Sequence, residues 1–277
     1  MPAPSEPFSS DAYAPSEIAR RIEAAGVAKA RLATLPLLML GVLAGAFIGL
    51  GALLFVLVRS DATLGFAASS VLSGLVFSLG LLLVVVAGAE LFTGNNLLAM
   101  AWADRRITTG ELLRNWGWVC LANLCGAVGL AVLVFLSGHT EMNQGAIGQK
   151  VVQIALAKQA LPFWAAFFRG VLCNVLVCLA VWMAMGGRSV VDKAVAVTLP
   201  VTAFVAAGFE HSIANMYVMP LAMLVQQFGP ASLAATPPVT WAGLLGNLLP
   251  VVAGNLVGGS VLVGLTYRLI YQPARPS

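Results

Sequence analysis

The chain has 277 residues, 60% of them hydrophobic and only 9% charged, with a formal net charge of +4 and a mean hydropathy of +0.92. A water-soluble domain carries about 25% charged residues, so this chain has too little polar surface to face water, and a bilayer is its better solvent. The excess of Lys and Arg follows membrane topology and gives no sign of a nucleic-acid partner.

Residues 1–32 have no apolar core and are not a signal peptide. From Pro15 onward, Ile18, Ile22, Ala25 and Ala28 recur at helical spacing opposite Arg20, Arg21 and Lys29. Pro15 suits the first helical position and Glu17 the first turn. The pattern predicts a short amphipathic helix lying at the cytoplasmic interface.

The next charge-free stretches, Ala33–Val58, Ala62–Ala89, Asn115–Gly138 and Gly170–Gly187, are each near the ~20 apolar residues that span hydrocarbon. Ala194–Val225 counts as one interrupted span. Ser212–Tyr267 carries no charge and has room for two spans around a hydrated hairpin at Gln226–Pro230 and Pro237-Pro238. The result is six spans, divided as 1–32 cytoplasmic segment, 33–268 transmembrane channel domain and 269–277 cytoplasmic tail. Arg20, Arg21, Lys29, Arg31, Arg105, Arg106, Arg114, Arg188, Lys193, Arg268 and Arg275 fall on one side of this arrangement, and Arg59, Lys150 and Lys158 on the other. The positive-inside rule then puts both termini in the cytoplasm of a bacterial inner (plasma) membrane.

Cys120 and Cys125, like Cys173 and Cys178, are five residues apart, about 140° around a helix. Neither pair shares a face, so they read as small buried hydrophobes. No metal site and no cofactor are predicted.

Three spans plus three spans invite a search for self-similarity. Glu90-Leu-Phe-Thr-Gly-Asn95 stands in the second span of the first half, and Glu210-His-Ser-Ile-Ala-Asn215 in the corresponding span of the second. The third spans match too, through Asn123-Leu-Cys-Gly126 and Asn255-Leu-Val-Gly258. The reading is an all-α polytopic protein built as a 3+3 inverted repeat with broken second and fifth helices. Thr93-Gly94-Asn95-Asn96 makes a poor helix, and so do Pro200 and Gly208. Irregular backbone at membrane depth survives only where protein buries it or where it lines a cavity. Both breaks point to a midplane site, where the positive ends of two half-helices converge and favour an anion.

Several side chains near that site invite roles. Glu90 and Glu210 would hydrogen-bond loop N–H groups, while Lys158 and Arg169 would raise anion concentration at the outer mouth. His139 is expected to be solvated in the outer hairpin.

Ala89-Glu-Leu-Phe-Thr-Gly-Asn95, Arg169-Gly-Val-Leu-Cys-Asn-Val-Leu-Val-Cys-Leu-Ala-Val-Trp182 and Gly208-Phe-Glu-His-Ser-Ile-Ala-Asn-Met216 closely resemble the formate/nitrite transporter family, in order, from about Tyr13 to Tyr267. The resemblance implies an aquaporin-like six-helix protomer with a pore in each subunit of a homopentamer. It also implies that His211 is the central pore histidine, with Thr93 the hydroxyl facing it. Asn174 would be a nearby polar residue and Lys158 the outer anion-attracting lysine. Glu90, Asn95, Glu210 and Asn215 would brace the pore loops. Phe77 and Phe204 would form the outer constriction, and Leu81 and Phe92 the inner one. The chain departs from the typical formate channel after Thr93, where Gly94-Asn95-Asn96 replaces a less polar run.

A bare anion in a dry pore faces a Born cost of about 20 kcal/mol. Two dipole ends and a few N–H donors offset part of it, and a weak-acid anion avoids the rest by crossing as the neutral acid. Formate and nitrite can do so, and His211 is the one side chain near the midplane that titrates near neutrality in water. The expected function is therefore transport of small monovalent weak-acid anions, with transient protonation by the central histidine. Hydrosulfide, short-chain carboxylates and an aquaporin-type neutral solute stand as alternative cargoes. The chain has no Asn-Pro, as an aquaporin turn requires, and no paired midplane histidines, as in ammonium channels. Nor do the spans supply the nucleophile with a base, or the metal cluster, that an enzyme needs.

Overall fold

The computed structural model describes residues 12–230, 233 and 236–271, and residues 1–11 and 272–277 of the two predicted terminal segments lie outside it. Every regular element among the described residues is helical. Helix α1, Pro15–Ala30, starts where proline and Glu17 predict, and the Glu17 carboxylate accepts the Ala14 N–H at 3.0 Å. Its apolar stripe, which the sequence pattern aimed at the membrane interface, packs on the protein itself. Ile18, Ala19 and Ile22 are buried against Met100, Trp182 and Val263, which offer a better-matched apolar surface than the headgroup layer. Just ahead of the helix, the Tyr13 N–H donates to Gly186 O at 3.0 Å. The Tyr13 ring is held by the Arg21 and Arg188 guanidinium groups, 3.9 and 4.3 Å from its centroid.

Helix α2 spans Thr34–Arg59, and α3, Phe66–Leu83, runs on through a π-helical turn at Val84–Gly88. After the first break, a 3-10 turn, Gly94–Leu98, leads into α4, Ala99–Ala103. Helix α5 spans Thr109–Leu136, α6 Ala146–Gln159, α7 Phe163–Gly186, α8 Val190–Ala206 and α9 Ser212–Phe228. Helix α10, Trp241–Leu256, continues through a π-helical stretch, Val257–Leu265, into α11, Thr266–Tyr271.

Helices α5 and α7 begin earlier than the charge-free stretches predicted. The first turn of α5 carries Glu111 in a capping box with Thr108, and α7 tolerates Arg169 because that side chain faces a cavity. Helix α6 is an element the sequence reading did not anticipate, since Lys150 and Lys158 interrupt its apolar run. Its Ile147, Val151, Val152 and Ala155 nevertheless form one buried face that packs on α9.

Five of these helices are long and apolar enough to cross a membrane: Thr34–Arg59, Phe66–Gly88, Thr109–Leu136, Phe163–Gly186 and Trp241–Tyr271. Helices α8 and α9, of 17 residues each, meet at the second break and together make the interrupted segment. Phe66, Leu136 and Leu249 are 81%, 73% and 70% exposed, which only lipid or a neighbouring subunit makes tolerable. The chain is thus a multi-pass membrane protein.

Helix α2 packs on α5, and α7 on α10. At both crossings backbones touch through glycine: a Cβ on Gly126 would collide with the Val42 carbonyl, and one on Gly254 with the Phe167 carbonyl. Cys173 and Cys178 are buried as expected, but Cys125 is exposed on α5. His139 is half-buried rather than solvated, and the loss of water holds its imidazole below the usual pKa.

A candidate anion pore between two broken helices

The two breaks lie close to their predicted positions, and only some of the predicted residues make them: Gly208 does, whereas Pro200 and the Gly94-Asn95-Asn96 run do not. The first falls at Ala89–Thr93, just after Gly88 at φ +82°, so that Thr93 of the predicted run lies in it while Gly94–Leu98 is already helical. In the second, α8 runs straight through Pro200 to Ala206, and Gly208 makes the turn at φ +72°. A side chain at either glycine would be strained by that left-handed backbone.

Each break is held by one set of bonds, and the second set matches the first except at the lysine, since Lys29 reaches Asn95 Oδ1 whereas Lys158 takes both Glu210 oxygens. At the first break, Lys29 Nζ donates to Glu90 Oε1 at 2.8 Å and to Asn95 Oδ1 at 3.1 Å. Asn95 Nδ2 donates to Glu90 Oε2 at 2.7 Å and to Asn115 Oδ1 at 3.0 Å. Asn115 Nδ2 closes the ring on Lys29 O at 3.2 Å. At the second break, Lys158 Nζ lies 2.9 Å from both Glu210 oxygens. Asn215 Nδ2 donates to Glu210 Oε2 and to Asn247 Oδ1, both at 2.7 Å. Asn247 Nδ2 closes that ring on Lys158 O at 3.0 Å.

The carboxylates therefore do not hold the loop N–H groups, as the sequence suggested, because each is already committed to a lysine and an asparagine. The loops are held instead by Asn123 and Asn255. Asn123 Oδ1 accepts the Phe92 N–H at 2.9 Å, and its amide donates to Gly41 O and Glu90 O at 2.7 and 2.9 Å. Asn255 Oδ1 accepts the Ser212 N–H at 3.1 Å, and its amide donates to Gly170 O and Glu210 O at 2.8 and 3.1 Å. Both asparagines had appeared in the sequence only as an echo between the third spans.

The histidine and threonine meet between the breaks. His211 is the N-cap of α9, and its Nδ1 accepts the Ala214 N–H at 3.2 Å. A backbone N–H only donates, so in the neutral ring the proton sits on Nε2 and points at Thr93 Oγ1, 3.1 Å away. The Thr93 hydroxyl is left with its own hydrogen to give. Asn174 stands behind this pair: its Nδ2 faces Thr93 O at 3.2 Å, Asn96 Oδ1 at 2.8 Å and Asn255 O at 2.7 Å, tying the two breaks together. The Cys178 thiol donates to the same Thr93 carbonyl at 3.4 Å.

Two cavities open toward this centre from opposite ends. One, of about 370 Å³, lies beneath α1 and is lined by Lys29, Leu81, Glu90 and Asn95. The other, of about 270 Å³, lies against α6 and is lined by Arg59, Phe77, Lys158, Arg169, Phe204, Glu210, His211 and Asn215. They share no lining residue. Phe77 borders one and Leu81 the other, and four residues of helix rise about 6 Å, so one helical turn separates them. The Phe77 and Phe204 rings meet edge to face at 5.9 Å, and Phe204 lies along the His211 ring at 6.0 Å. Phe77, Leu81, Phe92 and Phe204 are all buried. Phe92, Thr93 and Asn174 line neither cavity and are buried. Lys29, taken from sequence as one of the charges of the surface helix, was not anticipated at the site.

The sequence pattern of the family described as formate/nitrite transporter matches residues 16–269. The formate channel FocA of Escherichia coli strain K12 is 40% identical over 271 residues, covering 94% of this chain and 95% of that protein. A solved pentameric formate channel with formate bound superposes with a TM-score of 0.81 at 38% identity, covering 86% of this chain and 97% of that one. A second solved structure, an FNT family ion channel, gives a TM-score of 0.82 at 32% identity over 93% of this chain and all of that one. With the pattern matched along most of its length and the fold shared with solved members, the chain belongs to the formate/nitrite transporter family.

Proposed function

We propose that this protein is a channel for small monovalent weak-acid anions, formate first among them and nitrite next, and not an enzyme. The observation that carries the reading is the Thr93–His211 contact of 3.1 Å between the two breaks, with a cavity on either side. An anion arriving there meets the start of α9, the Thr93 O–H as donor, and apolar walls made by Phe77 and Phe204 on one side and Leu81 and Phe92 on the other. Such a barrier admits a small solute and strips its water. The relative solved with formate bound is pentameric, and the exposed apolar faces described above suit a homopentamer in the lipid bilayer.

In the same reading the protomer is an aquaporin-like 3+3 inverted repeat, and the similar bonds at the two breaks support it. The partners correspond in pairs: Leu40–Gly41 with Arg169–Gly170, Glu90 with Glu210, Asn95 with Asn215, and Asn123 with Asn255. The cavity beneath α1 then faces the cytoplasm of a bacterial cell, and the α6-side cavity the outside. Cysteine labels at Ser277 and Ala146 are expected to respond oppositely to an impermeant thiol reagent applied to intact cells, with only the second labelled. Labelling of both from outside would overturn the six-span topology.

The weak acid crosses most easily once protonated. The His211 imidazole supplies a proton only in its charged form, and reaching that form requires Nδ1 to release the Ala214 N–H. The decisive measurement is uptake into proteoliposomes from a panel of anions at a set pH gradient. Formate and nitrite are expected to enter, whereas sulfate and phosphate are not, because a second charge roughly quadruples a Born penalty of about 20 kcal/mol. Efficient sulfate flux through the purified protein would end this reading.

A further inference from the structure

The charges at the two mouths are not balanced alike. The cavity beneath α1 is lined by one cation, Lys29, and one carboxylate, Glu90, which form an ion pair at 2.8 Å. The α6-side cavity is lined by three cations, Arg59, Lys158 and Arg169, against the single carboxylate of Glu210. Lys158 is the cation committed to that carboxylate, at 2.9 Å, so most of its field is cancelled where a solute would feel it. Arg59 and Arg169 form no ion pair among the described residues. Arg59 Nη1 donates to Ser70 Oγ at 3.0 Å, a neutral partner that fixes the guanidinium without discharging it. Arg169 is exposed. One mouth thus carries a net charge of two and the other none, and a guanidinium keeps its charge at any physiological pH.

We propose that Arg59 and Arg169 form an anion-capture collar at the α6-side mouth, with no counterpart beneath α1, and that it makes the two faces of the channel kinetically unequal toward monovalent carboxylates. The identity of the cargo rests on the function proposed above; the positive potential does not. Two charges, each about 8 Å from a solute in a water-like dielectric, concentrate an anion there about fivefold and exclude a cation to the same degree. Microscopic reversibility forbids the collar from setting a direction of net transport. What it changes is saturation: from the α6 side both the half-saturating concentration and the maximal flux should be lower, in the same ratio. The Debye length falls from about 10 Å at 0.1 M salt to about 3 Å at 1 M, so the inequality should fade as salt is raised.

The potential can be read without any transport. A cysteine at Ala157, which lines the α6-side cavity, and another at Ala25, which lines the other, are each placed in a Cys125→Ser background. Their modification rates are then compared for an anionic and a cationic methanethiosulfonate of similar size. At low salt the Ala157 position should favour the anionic reagent at least fivefold over its preference at 1 M salt, and the Ala25 position should show little change. The double variant Arg59→Gln/Arg169→Gln should abolish the preference at Ala157, while Arg59→Lys/Arg169→Lys should retain it. Equal behaviour of the two positions, or a preference that survives the double Gln substitution, would overturn the collar. If the potential is found and formate still fails to cross in either direction, the collar stands and the proposed cargo falls.

Discussion

Replacing Glu210 with alanine is expected to destabilise this protein by about 3 kcal/mol, the magnitude seen when one partner of a buried ion pair is removed. The reason is what remains. Lys158 is 17% exposed at its side chain and would keep its ammonium with no carboxylate beside it. Asn215 Nδ2 would lose one of its two 2.7 Å acceptors as well, at the start of the helix that carries His211. The matching change, Glu90→Ala, should cost less, because Lys29 is 33% exposed and its ammonium can turn to water. Apparent unfolding midpoints of the purified variants in one detergent give the order directly. The double variant Glu210→Gln/Lys158→Met should recover much of the loss, since it removes the stranded charge along with its partner. A Glu90→Ala protein less stable than Glu210→Ala would show that solvent access does not decide the cost.

How much of this site could be read from sequence depended on whether its partners were local. Glu90 with Asn95, and Glu210 with Asn215, stand five residues apart in stretches that already looked non-helical, and both pairs hydrogen-bond. Their lysines are 61 and 52 residues away along the chain. Nothing in a charge pattern says that Lys29, on a helix read as a surface element, turns inward to Glu90. Asn123 and Asn255 were legible as an echo but not as loop clamps, because their role is set by which backbone groups the fold leaves open. The turn at Gly88 escaped notice because an Ala-Gly-Ala run gives no sign that φ must become positive. Pro200, by contrast, gave a false signal, since α8 absorbs its missing donor without ending. The constrictions proposed at Phe77, Leu81, Phe92 and Phe204 were suggested only by family resemblance. In composition they are indistinguishable from core.

His211→Asn is expected to abolish the pH dependence of formate flux while leaving a folded protein, and the structure sharpens why the substitution is informative. His211 has two jobs: Nδ1 caps α9 through the Ala214 N–H, and Nε2 faces Thr93 Oγ1. Asparagine is among the best N-caps, so its side-chain oxygen can take over the first job at little cost. The second job is lost, and with it the imidazole that faces Thr93. If protonation carries the flux, uptake driven by an inward proton gradient should fall at least tenfold, and any residual conductance should be of the bare anion, drawn by the helix end and the Thr93 hydroxyl. Thr93→Val is the companion measurement. It removes the hydroxyl between imidazole and solute without touching the titration, so flux should drop by a similar factor at every pH. The two profiles therefore differ in shape and not only in height. A His211→Asn channel that keeps the original pH profile would rule out the relay and leave the imidazole as the cap of α9 and a fixed donor to Thr93, with the proton then reaching the anion from water in the cavities.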